Sequence, residues 1–145
     1  MRRFFLAGPI LAASLALACS SQSPEEELVD SARPAISWVA TLRMTGEQWI
    51  ANRVPKSFVR STVAAARNDL GKTLDDAAKS TAPAAARLPL QRLLHEARAE
   101  GFGLRKAAEA GDRPAAARQV EQLKALQVQL VSWQRQAGGQ PGGTP

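Results

Sequence analysis

The sequence predicts an all-α protein, an up-down-up-down bundle of four helices. Three observations lead there. Tyrosine is absent, aromatics make up 5% of the chain and alanine abounds; alanine is the best helix former and is depleted from strands. Apolar and small residues recur at alternating spacings of four and three in four separate stretches, which is the seam of a packed helix. Proline, glycine and capping residues fall between the stretches. The connections are therefore short, and short connections make sequential helices antiparallel neighbours.

The first stretch opens on Ser23-Pro24-Glu25-Glu26, a capping box with proline at the first helical position and glutamate at the third. Glu25, Glu26 and Glu27 also suit the positive end of the helix dipole. The seam then runs Leu28, Ala32, Ala35, Val39, Leu42, Gly46 and Trp49, and the helix is expected to end near Ala51. Pro34 lies inside it and is expected to kink or locally break it.

Asn52-Arg53-Val54-Pro55 reads as a turn, with Pro55 at the opening of the second helix. Val59, Val63, Ala66, Leu70, Thr73 and Ala77 repeat the spacing, and Phe58 and Leu74 are expected to widen the apolar stripe. Ser80-Thr81-Ala82-Pro83 ends this helix, because a residue before proline resists helical geometry. Ala84 to Leu88 reads as a separate helical turn, with Pro89 restarting the register.

The third seam is Leu90, Leu94, Ala97, Gly101, Leu104 and Ala108. Gly101 falls on the core side, where it lets a neighbouring helix come close. Gly111-Asp112-Arg113-Pro114 is a stop and a start: glycine caps one helix and aspartate begins the next. The fourth seam is Ala116, Val120, Leu123, Leu126, Leu130 and Trp133, with Val131 at its edge. Residues 24–137 thus form the bundle, and the glycine- and proline-rich residues 138–145 read as a disordered tail. An alternative has three long helices and a short fourth segment, should the region from Pro83 to Pro89 not pack.

The N-terminus reads differently. Met1-Arg2-Arg3 is a positive start, and Phe4 to Ala18 is an uncharged, mostly apolar run with a small-residue end, the three-part pattern of an export signal. The run is short of the roughly 20 residues a membrane span needs, and Gly8-Pro9 interrupts it. Ala16, Leu17 and Ala18 precede Cys19, the one cysteine of the chain, and Ser20-Ser21-Gln22-Ser23 follows as a polar tether. This site resembles a bacterial lipobox. Ala18 matches the family pattern directly before the cysteine, whereas Leu17 is larger than usual and Ala16 stands where leucine is commonest. The resemblance covers this stretch alone and implies an address: diacylglyceryl lipid on Cys19, residues 1–18 removed, residues 19–23 as tether. Ser20 after the cysteine implies the outer membrane, facing the periplasm. The alternative is ordinary cleavage at Ala16-Leu17-Ala18, which releases a soluble protein.

Removing residues 1–18 takes away Arg2 and Arg3 and leaves 17 basic and 13 acidic residues, a net charge of +4. A basic chain often meets nucleic acid, but an exported one does not, so the expected partners are the membrane, through the lipid, and an acidic envelope protein or polymer. No catalytic, metal or cofactor constellation is legible. His95 is the single histidine. Glu96 and Glu100 lie one turn apart on what reads as a solvated face, with Arg92 placed to pair with Glu96. The bundle-type di-iron motif, a haem motif, a phosphate loop and a nucleophile elbow are all lacking, and the chain reads as no enzyme. Two surface candidates remain. Arg53, Lys56, Arg60 and Arg113 gather near one end of the bundle as a contact for an acidic partner. Trp38, Trp49 and Trp133 form either core or an apolar groove for a ligand or chain. The expected function is a non-enzymatic envelope lipoprotein acting as an interaction or structural module, with a helical carrier or chaperone as the alternative.

Overall fold

In the computed structural model, which describes residues 21–139, the first helix α1 spans Pro24–Ile50. Ser23 caps it as the sequence requires. Its Oγ accepts from the Glu26 N–H at 3.2 Å, and Glu26 Oε2 accepts from the Ser23 N–H at 3.1 Å. The helix α2 spans Lys56–Lys79, α3 spans Ala84–Ala110 and α4 spans Arg113–Gly138. Each helix packs on its sequence neighbour and α4 closes against α1, giving the four-helix bundle. Every residue of the four expected seams is buried, and Val29, Thr45, Leu93 and Ala107 join them. Leu42, Leu70, Leu94, Leu123 and Leu130 are among the largest fully buried side chains.

The two diagonals of the bundle differ. The backbones of the parallel pair α1 and α3 come close across the centre, whereas those of α2 and α4 do not. Two glycines make that approach possible. A Cβ on Gly46 would stand 3.1 Å from Leu104 Cδ1 of α3 and 2.5 Å from Val120 Cγ2 of α4. A Cβ on Gly101 would stand 3.2 Å from Leu42 Cδ1 of α1. Each helix thus offers a glycine to a leucine of the other, and the backbones approach where any side chain would hold them apart.

Three local expectations are corrected. Ala84 to Leu88 is not a separate turn: α3 is one helix from Ala84, with Pro89 inside it. The missing proline N–H leaves the carbonyl of exposed Ala85 to water, and the Ala86 carbonyl accepts from Trp133 Nε1 at 2.8 Å. The first turn is therefore held by α4 even though proline weakens it. Pro34 likewise does not break α1. It sits on the exposed face, so the carbonyl it strands meets solvent, while Ala32 and Ala35 beside it stay buried. Phe58 does not widen the stripe of α2: it is 48% exposed, one position before the seam residue Val59. At the C-terminus, Gly138 is the last residue of α4 and Gly139 its cap. Residues 140–145, together with Cys19 and the whole of residues 1–18, lie outside the described residues.

Candidate binding surfaces

The two turns at the end remote from Pro24 are built alike. Asn52 and Gly111 both adopt left-handed backbone, with φ of 59° and 70°. In each turn the next N–H reaches back five residues, Arg53 to the Gln48 carbonyl at 2.8 Å and Asp112 to the Ala107 carbonyl at 2.9 Å. This closes the carbonyls that a helix end otherwise leaves open. The turns are also tied to each other: Arg113 donates from Nη2 to Asn52 Oδ1, and its guanidinium lies 5.7 Å from the Trp49 ring centre. Asp112 starts α4 by accepting from the Ala115 N–H at 2.9 Å.

The expected contact residues divide at this tip. Arg53 and Lys56 line a shallow depression of about 640 Å³ with Trp49, Val54, Pro55 and Gly111, and both are exposed. Arg113 is held on Trp49 and Asn52. Arg60 pairs across to Glu109 of α3 at 3.5 Å, and Glu109 also faces Arg105 at 3.6 Å. The Arg60 pair is solvent-exposed and adds little stability, whereas Arg105 is half-buried. The tip is thus a platform of two tied turns on which Arg53 and Lys56 make no ion pair among the described residues.

The tryptophans are not brought together. Trp49 and Trp133 are buried, at 8% and 6% exposure, and lie at opposite ends of the bundle. Arg113 lies over Trp49 and Trp133 stands 20 residues further along α4, so the separation is about 30 Å. Trp38 is half-buried between α1 and α2 and donates from Nε1 to Asp69. Trp133 donates to Ala86 and forms one wall of a cleft of about 390 Å³ beside Pro83 and Pro89. The three rings therefore line no common groove. They close the core in three places, with two of the indole N–H groups satisfied by partner helices.

A larger feature lies outside both sets of expected contact residues. Between α2 and α3 runs a groove of about 930 Å³. On the α2 side it is lined by Ala64, Gly71 and Ala78, and on the α3 side by Ala97 and Gly101. Leu42, Val63, Leu70 and Leu74 lie beneath as a sealed floor, none more than 8% exposed. Arg67, Lys72, Arg98 and Arg105 stand along the edges, against the single carboxylate of Asp75. Arg67, Lys72 and Arg98 make no ion pair among the described residues. Phe102, 45% exposed, closes one end beneath Arg105 at 5.1 Å and Lys106 at 5.8 Å. The sequence does carry a signal for this groove. Ala64, Gly71 and Ala78 recur every seven residues on the outer side of the seam, where a solvated helix face ordinarily has long polar side chains.

His95 lies on the edge of this groove, exposed. Arg92 pairs with Glu96 at 2.9 Å, as its spacing predicts. Glu100 has its carboxyl pushed above the ordinary range, chiefly by burial and then by the charge of Glu96. Among the described residues no three histidine, cysteine, aspartate or glutamate side chains converge to hold a metal, and no helix is long and apolar enough to cross a membrane. No known protein family, curated protein or solved structure matches the chain.

Proposed function

We propose that this chain is a non-enzymatic envelope lipoprotein: a small helical module, held on a membrane through lipid on Cys19, whose far tip docks an acidic protein or polymer. The observation that carries the reading is the placement of charge along the bundle. The helix α1 begins at Pro24, five residues after Cys19, so the end holding Pro24 and Lys79 faces the membrane in this reading. Glu25, Glu26, Glu27, Asp30, Asp75 and Asp76 lie there with Arg33, Lys79, Arg87 and Arg135, so that end offers anionic lipid no net positive charge. Arg53 and Lys56 then project from the far end, about 40 Å away, on a platform of two tied turns.

Two experiments test the two halves of the reading. The intact mass of the mature protein should show diacylglyceryl lipid on an N-terminal Cys19, and Cys19→Ala should release the protein from membranes. An unmodified Cys19 overturns the anchor and restores ordinary cleavage. For the tip, Arg53→Glu with Lys56→Glu should weaken capture of the partner from envelope extracts, and capture by the unaltered protein should fall with added salt. Capture unchanged by both overturns the docking role. Arg113 is the wrong residue for this test, because its reversal also removes the contacts to Trp49 and Asn52.

A further inference from the structure

The α2–α3 groove carries an inference independent of the anchor and of the tip. We propose that it binds a single-chain anionic amphiphile, an alkyl or acyl chain bearing a phosphate or carboxylate, with the chain along the furrow and the anion between Arg67 and Arg98. The volume of about 930 Å³ falls in the range of sites that take small ligands. From Val63 to Ala78 the furrow follows 15 residues of helix, about 22 Å. One leaflet of a bilayer core is about 15 Å deep, which is the reach of one acyl chain, so a chain fits lengthwise with room for its headgroup.

Charge selects the sign of the ligand. Four cations edge the groove against one carboxylate, and only Arg105 of the four has an acidic partner among the described residues. Arg98 is half-buried, which strengthens its field at the mouth. A planar guanidinium from each side presents the forked donors that phosphate and carboxylate oxygens accept.

Shape selects a chain over a helix. A docking helix is about 10 Å across and needs a broad apolar seam. Here the apolar lining that α2 leaves unburied is the single file of Ala64, Gly71 and Ala78, too narrow for the seam of such a helix. A single hydrocarbon chain is thin enough to lie over Ala64, Gly71 and Ala78, between the long side chains of both edges.

Gly71 makes the test clean. A Cβ there meets nothing within 4 Å, so a larger side chain enters the furrow and not the core. Replacing glycine inside a helix also favours folding. The protein should be titrated with dodecyl phosphate below its micelle concentration, with amide shifts followed by NMR, and in parallel with inorganic phosphate and with dodecyl maltoside. The expected result is saturable binding of dodecyl phosphate, with shifts confined to residues along the groove and at least tenfold weaker binding of the other two. Gly71→Leu should weaken binding at least tenfold while its melting temperature stays at or above that of the unaltered protein. Arg67→Glu with Arg98→Glu should weaken it as much. Shifts that map elsewhere, or binding indifferent to Gly71→Leu, overturn the site. Equal affinity for the maltoside overturns the role of the arginines. Binding of an acidic amphipathic peptide, with no binding of the alkyl phosphate, overturns the chain in favour of a helix.

Discussion

Gly46 and Gly71 sit in helices of the same bundle and do opposite things. Gly46 faces inward, and the space its missing side chain leaves is filled by Leu104 and Val120. Gly71 faces outward over the α2–α3 seam, and the space beside it is empty. One glycine draws two helices together, and the other leaves two helices with a furrow between them. Glycine costs a helix roughly 1 kcal/mol against alanine wherever it stands. At Gly46 close packing offsets that cost. At Gly71 no packing among the described residues does.

The contrast between a closed core and an open groove can be pressed by substitution. The largest effect belongs to the closed side. Leu94→Ala and Leu123→Ala remove fully buried side chains and should each cost about 2–5 kcal/mol by chemical denaturation. Losses near zero at both would show that the seams do not form a packed core. Next is Gly46→Ala. Its new methyl meets a stiff valine at 2.5 Å, so overpacking of about 1–3 kcal/mol should exceed the gain in helix propensity. Gly71→Ala should do the reverse and stabilise by about 0.5–1 kcal/mol.

Smaller effects sharpen the surface. Arg53→Glu with Lys56→Glu should change stability by no more than about 0.5 kcal/mol, because both side chains are exposed and make no ion pair among the described residues. A large loss would make the tip part of the fold and not a docking surface. The smallest expected effect is at Glu100. Its folded pKa is raised, so the folded state holds its proton more tightly than the unfolded chain does. Stability from this group is present below the ordinary value of 4.5 and declines as pH rises through the raised value. Glu100→Gln should flatten that decline in melts taken between acid and neutral pH.

Much of this was legible in the chain. The alternation of four and three located every seam from Leu28 to Trp133, because burial follows helical phase; the caps at Ser23 and Asp112 mark where α1 and α4 begin, and Gly111 marks where α3 ends. Local signals failed where a second helix decides the outcome. Pro89 reads as a restart, yet α3 runs through it because Trp133 of α4 holds its first turn. Arg53, Arg60 and Arg67 recur every seven residues, a spacing that by itself puts them on one side of a helix. The fold gives them three separate settings: the tip, the ion pair with Glu109, and the edge of the groove. No spacing within α2 could reveal this, since the neighbours that separate them belong to α3. The groove itself escaped for the same reason. Ala64, Gly71 and Ala78 are small residues beside the seam of α2, and only the opposing edge of α3, with Arg98 and Phe102, makes that face a candidate site.

The most direct test of the contrast uses one substitution at two places. Gly46→Leu and Gly71→Leu add the same side chain to helical glycines, and thermal melting followed by circular dichroism reads both. Gly71→Leu should melt at or above the unaltered protein. Gly46→Leu should melt lower by about 10 °C or more, because overpacking of a few kcal/mol in a chain of this size shifts the midpoint that far. Equal losses at the two sites would contradict the account, since they would mean that the α2–α3 seam is as closed as the centre of the bundle.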